Sequence, residues 1–477
     1  MSDKSISTRE KDYSQWYLDV IKAADLAEHS EVKGSMIIKP YGFAIWELMQ
    51  RVLDEKIKET GAENAYFPLL IPEHYLSKEK EHVEGFKPEL AVVTHAGGQK
   101  LDEPLVIRPT SETIIYATFA KWIQSWRDLP LMINQWANVI RWELRPRLFL
   151  RTTEFLWQEG HTAHATEDEA DRHARRMLDV YQTFVQDWLA MPVVAGVKTD
   201  AEKFAGAKFT YTIEALMQDG KALQMGTSHN LSDHFARVFN VQYLDKDKQE
   251  KYVHQTSWGV STRMIGGLIM AHGDDKGLVL PPRIAPIQVA IIPIFKNEDE
   301  KQAVVKAAEG VRSALVKKGI RVKLDDRDHE TAGSKFYEWE KKGVPVRLEL
   351  GPKDLAKEQV VAVRRDSGEK SFVAVNDVVD VILTMLGDIQ RALFERAQAF
   401  VRERTQDARD YEDFKKRIES GGFFRMHWCG NAACERAIKD ETKATIRCIL
   451  FDGQDEKGTC IKCGKESSRR VIFARAY

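Results

Sequence analysis

The sequence predicts an α+β protein in which a large antiparallel sheet flanked by helices precedes two smaller units. Three observations lead to this fold class. Two long alternating strand patterns joined by an irregular loop lie in the first half of the chain. Strand and helix patterns then alternate, as in a small α/β domain. Four cysteines form two pairs near the C-terminus. The 477 residues suit about three domains, predicted at 1–283, 284–395 and 396–477.

Composition and charge exclude several classes of protein. The chain is 43% hydrophobic and 30% charged, which is typical of a globular protein rather than a disordered one. No apolar run approaches the ~18 residues of a membrane-spanning helix, so no membrane association is expected. The polar first residues do not resemble a secretory signal, which predicts a cytoplasmic location. With 71 basic and 72 acidic residues, any nucleic-acid binding would depend on local patches.

The first unit opens with a helix, a short strand, a long helix and a second strand. These are predicted, in order, at 12–27, 35–39, 42–60 and 65–71. Gly61 provides a C-terminal stop for the long helix. Pro68 lies inside the second strand and removes a ladder donor, so that strand is expected at an edge or in a specialised turn.

Two longer strands follow, and both carry ionisable side chains beside apolar ones. Alternation places Trp136, Asn138, Ile140, Trp142 and Leu144 on one face of the first strand. It places Phe155, Trp157, Glu159, His161 and Ala163 on one face of the second. Ionisable side chains in such positions are expected to interact with a specific partner. A helix with a capping box, Thr166 and Glu169, comes next.

Two arginines have the placement needed to hold phosphate groups. Arg141 on a strand face presents a fixed fork of donors suited to phosphate, and Arg263 opens a helix. Together they could hold a triphosphate in a chain that has neither a Walker-type glycine loop nor a dinucleotide-binding fingerprint. Ordinary ion pairs on a sheet surface are the alternative.

The second unit and the start of the third follow a simple pattern. Strands are predicted at 289–295, 321–324, 346–350 and 360–363. Helices are predicted at 299–318, 333–342 and 375–386. The third unit begins as a charged helix and ends in the cysteine pairs.

The cysteine spacing predicts a structural zinc site. Cys429 and Cys434 form one pair, and Cys460 and Cys463 form a tighter pair of knuckle type. Four thiolates in two close pairs suit tetrahedral Zn²⁺ and leave no open position for catalysis. A reduced cytosol favours metal over disulfides, and free buried thiols are the alternative. Cys448 is expected to pack as a small hydrophobe.

Five short motifs extend these observations to a known family. They are Arg108-Pro109-Thr110-Ser111-Glu112, Arg141-Trp142-Glu143, Trp157-Gln158-Glu159-Gly160-His161, Lys203-Phe204-Ala205-Gly206-Ala207 and Gly226-Thr227-Ser228-His229. Residues 42–68, 141–155 and 259–282 resemble the three signature motifs of class II aminoacyl-tRNA synthetases. The five motifs resemble the prolyl-tRNA synthetase family in its archaeal/eukaryotic-type form, over essentially the whole chain. Only about a hundred residues separate the second and third motifs, which leaves no room for the editing insertion of the bacterial-type enzyme.

The resemblance implies a proline pocket in the first unit. Thr110 and Glu112 would bind the proline amine by charge-assisted hydrogen bonds, although they could also serve only as a helix start, with Thr110 or Ser111 as N-cap. Arg141 would bind the proline carboxylate or the α-phosphate of ATP. The pocket walls would be Trp157, Glu159, Phe204 and His229. Core packing of the aromatic residues and a structural histidine are the alternatives.

The resemblance also implies an ATP site with Mg²⁺ as cofactor. Glu143 would meet the adenine amino group or orient Arg151, and Arg263 would take the γ-phosphate. Further ATP-site positions are Gln224, Thr227 and Ser261, acting partly through magnesium and backbone groups. Arg141, Glu143 and Arg263 would be catalytic through positioning and charge neutralisation, because the attacking carboxylate is already ionised.

The remaining implications concern partners. The first motif usually forms a homodimer interface in this class, and the second unit resembles an anticodon-binding domain for tRNA(Pro). Guanine edges require basic donors and carboxylate acceptors, which Glu340, Arg347 and Lys353 could supply unless they only form a solvated charged surface.

Two rival functions and one feature of the chain end complete the expectations. The rivals are a sister enzyme specific for threonine, histidine or glycine and a catalytically dead regulatory relative. The latter should have lost Arg141, Glu143 or Arg263, and all three are present.

The chain ends in apolar and aromatic residues up to Tyr477, whereas free termini are usually polar and frayed. In the resembling family this tyrosine reaches the catalytic domain; a plain final strand is the alternative.

Overall fold

The computed structural model describes residues 6–77, 90–453 and 455–477. The helices in the first part of the chain are α1 Tyr13–Ala23, α2 Pro40–Lys58, α3 Glu73–Ser77, α4 Glu112–Trp122, α5 Glu167–Asp187, α6 His234–Phe239 and α7 Arg263–His272. The strands there are β1 Ala27–His29, β2 Met36–Ile38, β3 Glu63–Asn64, β4 Leu70–Pro72, β5 Ala91–Ala96, β6 Gln99–Ile107, β7 Leu131–Ile140, β8 Glu154–His164, β9 Val194–Val197, β10 Phe209–Leu216, β11 Ala222–Ser232, β12 Gln242–Leu244, β13 Glu250–Tyr252 and β14 His254–Ser261. Within the described ranges, no helix combines the length and apolar character that a membrane crossing needs.

A large sheet forms the floor of this part. Its order runs β9-β10-β11-β14-β8-β7-β3, with antiparallel pairing throughout except that β3 joins β7 in parallel. Helix α5 covers one side and buries Met177, Tyr181 and Phe184 against the sheet. The predicted capping box of α5 is confirmed, because Thr166 Oγ1 accepts from the Glu169 N–H at 3.3 Å and the Glu169 carboxylate accepts from the Thr166 N–H at 3.2 Å.

Two predicted strands of this part differ from the structure. The first of the long pair ends at Ile140 instead of Leu144, which is exposed. Pro146 lacks an N–H and Phe149 has a positive φ of 61°, so residues 141–153 cannot continue the ladder. The predicted strand 65–71 is an irregular segment between β3 and β4. There the N–H of Phe67 donates to the Gln135 side chain instead of to a neighbouring strand.

The second part is the predicted α/β unit. Its strands are β15 Val289–Pro293, β16 Val322–Leu324, β17 Val346–Leu350, β18 Gln359–Arg364 and β19 Lys370–Ala374. Its helices are α8 Glu298–Lys317, α9 Ala332–Lys341, α10 Pro352–Leu355 and α11 Val378–Glu403. The sheet order is β16-β15-β17-β18-β19, parallel over its first three strands. Helix α11 continues past residue 396, where the third unit is predicted to begin.

The C-terminal part extends the large sheet. It contains α12 Tyr411–Arg417, α13 Ala432–Thr442 and the strands β20 Thr405–Gln406, β21 Phe423–His427, β22 Thr445–Leu450, β23 Gly458–Thr459, β24 Glu466–Ser467 and β25 Arg470–Ala474. Strand β22 pairs with β9 through Ile449↔Val197 and Leu450↔Gly196. A Cβ on Gly196 would lie 2.2 Å from the Ile449 carbonyl oxygen, so this close pairing requires glycine.

A buried charge cluster joins the same two parts. The fully buried Glu214 accepts from Lys198 Nζ at 2.7 Å and from Arg447 Nη2 at 2.9 Å. Burial alone would raise the pKa of Glu214, but the two cations outweigh it and lower that pKa. An ion cluster of this kind is costly to break, since removing one member leaves the others buried without compensation.

Candidate active site and cysteine cluster

Two adjoining pockets lie over the large sheet, and the predicted site residues of the first part line them. The first pocket, of ≈290 Å³, is lined by Thr110, Glu112, Arg141, Trp157, Glu159, Phe204, Gln224, Thr227, His229, Ser261 and Arg263. The second, of ≈410 Å³, is lined by Arg141, Glu143, Arg147, Arg151, Ser261, Arg263 and Tyr477. Arg141 and Arg263 contribute to both, so the pockets are continuous at the two arginines.

A buried acidic corner lies in the first pocket. Thr110 and Glu112 are almost completely buried, and the Thr110 hydroxyl donates to the Glu112 carboxylate. Ser111 occupies the N-cap position of α4, yet its hydroxyl makes no cap hydrogen bond and instead donates to Glu159. The Ser111 hydroxyl therefore does not cap the helix, whereas Glu112 lies in its first turn, as the alternative expects.

Aromatic side chains wall the same pocket. Phe204 stacks on His229 with ring centroids 4.5 Å apart and an interplanar angle of 26°. His229 Nδ1 lies 3.0 Å from Thr210 Oγ1. Trp157 and Phe204 are only partly buried and face the pocket, unlike side chains of the core. The cavity therefore offers an aromatic wall beside buried carboxylates.

Glu159 is held by a network that the sequence reasoning did not identify. It accepts from Gln135 Nε2 at 2.9 Å as well as from Ser111, and its second oxygen lies 3.0 Å from His161 Nε2. Strand pairing sets Gln135 directly opposite Glu159. The only sequence signal was alternation, which leaves a glutamine on the face of β7 that otherwise carries small apolar residues.

Five arginines contribute to the lining of the second pocket. Arg141 follows the last residue of β7 and is fixed by its Nε, which donates to the Pro109 carbonyl at 2.9 Å. Its guanidinium lies 5.5 Å from the Phe155 ring centroid and 5.6 Å from that of Trp157. Arg263 opens α7, as predicted, and its Nε donates to the Leu150 carbonyl at 3.2 Å.

The electrostatics of this pocket favour an anion. Burial and the nearby Arg141 lower the pKa of Arg263 to about 10, so both side chains remain cationic at neutral pH and repel each other. A polyanion between them would relieve that repulsion. Glu143 pairs with Arg151 and accepts from the Arg145 N–H at 2.8 Å, which is one of the two arrangements expected for it.

Arg147 and Tyr477 also line the second pocket. The Arg147 guanidinium lies 5.1 Å from the ring centroids of both Tyr17 and Tyr477. Its Nη2 is buried and has no hydrogen-bond partner among the described residues. In the sequence, the only signal for Arg147 was a run of arginines in this loop.

Tyr477 docks on the catalytic sheet. Its hydroxyl donates to Asp219 Oδ2 at 2.7 Å and its N–H to the Ala222 carbonyl at 3.2 Å. Burial and the neighbouring Asp219 raise the pKa of this phenol. β25 ends at Ala474, so the last residues continue past the strand and reach the pocket.

The four paired cysteines converge in the C-terminal part. Their Sγ atoms all lie within 4.8 Å of one another, and Cys429 Sγ lies 3.8 Å from Cys434 Sγ and 3.7 Å from Cys463 Sγ. Zn–S bonds of about 2.3 Å at tetrahedral angles require S–S separations of about 3.8 Å. The donor set therefore fits zinc. Cys448 is fully buried in β22, outside this cluster.

The predicted anticodon residues do not form one cluster of free side chains. Glu340 pairs with Lys276 at 3.2 Å, at the boundary with the first part. Arg347 donates to Glu349 at 2.8 Å and lies 4.4 Å from the Phe336 ring centroid. Lys353 is exposed in α10. Of the three, Lys353 alone is exposed, since Arg347 is paired within β17 and Glu340 is paired with Lys276.

An antiparallel sheet with one arginine after a strand and a second opening a helix, both lining one cationic pocket, is the arrangement of a class II aminoacyl-tRNA synthetase core. Comparison with protein families agrees. Residues 92–272 match the tRNA synthetase class II core domain (G, H, P, S and T), residues 288–385 an anticodon binding domain, and residues 411–477 the prolyl-tRNA synthetase C-terminal domain.

Curated relatives narrow the assignment. The chain is 55% identical to the proline–tRNA ligase of Porphyromonas gingivalis, over 99% of both chains. It is also 55% identical to the corresponding ligases of Chlorobium chlorochromatii and Chloroflexus aurantiacus, over 100% of each chain. The chain belongs to the prolyl-tRNA synthetase family.

Proposed function

We propose that the chain activates L-proline with ATP to prolyl-adenylate, releases pyrophosphate, and transfers proline to the 3′ end of tRNA(Pro). The observation that carries this proposal is the pairing of the two pockets. A cavity with aromatic walls and the buried carboxylates of Glu112 and Glu159 suits a secondary amine with a pyrrolidine ring. It opens directly onto an arginine-lined pocket suited to a triphosphate.

The proposed roles follow the geometry. Thr110 and Glu112 bind the proline amine, while Trp157, Glu159, Phe204 and His229 enclose the ring. Arg141, which lines both pockets, bridges the proline carboxylate and the α-phosphate. The carboxylate attacks the α-phosphorus, the bond to the β-phosphate oxygen breaks, and pyrophosphate leaves with the bonding electrons. No proton moves in this step, so positioning and charge neutralisation supply the catalysis.

The residues proposed for the ATP site have different roles. Arg263 neutralises the γ-phosphate. Glu143 orients Arg151 through their ion pair, and the remaining contacts come from Gln224, Thr227 and Ser261. Glu143 is the one acidic side chain among the described residues that line the arginine pocket. Magnesium, which neutralises phosphate charge when bound, would therefore be held mainly by the triphosphate and water.

The wider assignment includes subclass, partners and location. We assign the chain to the archaeal/eukaryotic-type form without an editing insertion. Residues 166–253 support this, since they fold into elements such as α5 and β9–β11 that belong to the large sheet or its covering. The proposal also includes Zn²⁺ at the four cysteines and reading of tRNA(Pro) by β17 and α10. It further includes a cytoplasmic location and a homodimer. Exposed Phe43 and Tyr66 support dimerisation through the first motif.

Amino-acid-dependent exchange of pyrophosphate into ATP, measured across all twenty amino acids, tests the function. We expect exchange to depend on proline and to be absent with threonine, histidine and glycine. A sister specificity would be revealed by exchange with one of those three instead. Absence of exchange with every amino acid would support the dead regulatory relative.

Removal of Ala476 and Tyr477 tests the docked chain end. The deletion eliminates the Asp219 hydrogen bond and the ring beside Arg147, so we expect proline-dependent exchange to fall about tenfold through misplacement of pocket groups. The melting temperature should change by only a few degrees, because β25 is left intact. Lys416→Ala, at an exposed position of α12 in the C-terminal part, is the control. Unchanged exchange in the deletion variant would mean that the tail only closes the sheet.

A further inference from the structure

The loop between β9 and β10 carries one wall of the proposed proline pocket. Glu202, Lys203 and Phe204 all line that pocket. The position of Phe204 is set by its own N–H, which donates to Thr210 Oγ1 at 2.9 Å. The position of Phe204 is also set by the turn that immediately precedes it. In that turn the Thr199 carbonyl accepts from the Lys203 N–H at 2.9 Å and from the Glu202 N–H at 3.1 Å. Any displacement of Thr199 is therefore transmitted to the wall.

The side chain of Thr199 is held from the C-terminal part. Its hydroxyl donates to Glu435 Oε1 at 2.6 Å, and both residues are at most 5% exposed. Burial raises the pKa of Glu435, and the Thr199 hydrogen bond opposes that shift. One helical turn further along α13, Lys439 Nζ pairs with Glu202 at 3.0 Å.

Lys198, the residue before Thr199, is also linked to the C-terminal part. Lys198 donates to Glu214, which also binds Arg447 of β22. Thr199 is thus held directly by α13, whereas Lys198 is held by Glu214 of β10 and is linked to β22 only through that carboxylate. Helix α13 itself begins at the cysteine cluster, because Cys434 immediately precedes Glu435 and Asn431 caps the helix by accepting from the Ala433 N–H at 2.7 Å.

We propose that Glu435 is a positioning residue for proline binding: through Thr199 it fixes the loop that presents Phe204 to the pocket. The C-terminal part then has a role in substrate affinity that is separate from the docked Tyr477, since the two contacts reach different pockets. A loop held only by its own turn would sample other positions, and each would cost binding energy for the ring. The inference rests on the proposed prolyl-adenylate activity.

Thr199→Val provides the sharpest test, because valine keeps the shape of threonine and removes the donor. We expect the KM for proline in pyrophosphate exchange to rise about tenfold, in keeping with loss of a hydrogen bond to a buried carboxyl group. The KM for ATP should change less than about twofold. Glu435→Ala should give the same pattern. Thr199→Ser and Glu435→Gln, which keep a donor and an acceptor, should restore nearly normal KM values.

A double-mutant cycle and a matched control separate positioning from general loss of stability. If the two residues act through one contact, Thr199→Val combined with Glu435→Ala should be no worse than either alone. Arg436→Gln, at an exposed neighbouring position of α13, should leave both KM values unchanged. Lys439→Ala, a surface change, should raise the KM for proline in the same direction and more weakly.

The outcomes distinguish this inference from the proposed function. Wild-type protein without proline-dependent exchange would overturn the function itself. An active wild type together with an unchanged KM for proline in Thr199→Val would overturn the positioning role alone. Equal rises in both KM values with a lowered melting temperature would do the same, because they would show that the contact is only structural.

Discussion

Replacing Arg141 or Arg263 with alanine is expected to lower proline-dependent pyrophosphate exchange by about 10²–10³. Both side chains line both pockets, where charge develops as the carboxylate attacks the α-phosphate. A contact that strengthens in the transition state contributes mainly to kcat. We therefore expect kcat to fall more than the KM for ATP rises. Steady-state exchange with each substrate varied in turn measures both.

The fold should tolerate these changes. Arg263 is buried beside other cations that, together with burial, lower its pKa to about 10, so its removal relieves repulsion even as the bond to the Leu150 carbonyl is lost. Little change is expected in the melting temperature. Arg172→Ala is a suitable control, since that arginine is exposed on α5 and pairs only with Asp168 within the described residues. Near-normal exchange in either active-site variant would refute the phosphate-binding assignment.

The features that were predictable from sequence are those encoded locally. Period-two alternation located β8, a capping box located α5, and cysteine spacing located a four-thiol cluster. These signals depend on residues that are close in the chain. Strand β7 was predicted too long because alternation continues through Leu144, while Pro146 and the positive φ of Phe149 interrupt pairing.

The features that sequence reasoning missed depend on distant contacts. The junction of β22 with β9 requires Gly196 and the buried ion cluster of Glu214 with Arg447, which are 233 residues apart. Helix α11 was predicted too short because a charged surface pattern in its second half resembles a new unit. The network around Glu159 joins three segments, so no single window of sequence contains it. The residues that line the two pockets were easier to predict than the residues that hold them in place.

The second large effect concerns metal. We expect protein purified without chelators to contain one zinc per chain, held by the four clustered thiolates. Cys460→Ser should remove most of that zinc, because Cys460 is the most buried ligand, at 2% exposure, and serine is a poor zinc ligand. Binding energy at such a site is also folding energy, about 10–16 kcal/mol in small zinc domains. The C-terminal part should therefore lose its cooperative unfolding transition.

Loss of the metal should also lower the activity of the active site. The first turn of helix α13 contains Cys434, which is followed by Glu435, and β22 extends the large sheet beside β9. Disorder in the C-terminal part would therefore release both the Thr199 contact and the docked Tyr477. We expect proline-dependent exchange in Cys460→Ser to fall at least as far as in the Tyr477 deletion and the Thr199→Val variant taken separately. Cys448→Ala, in a buried cysteine outside the cluster, should keep one zinc per chain. Elemental analysis showing no zinc in the wild type, or full zinc in Cys460→Ser, would favour free buried thiols and reject the site.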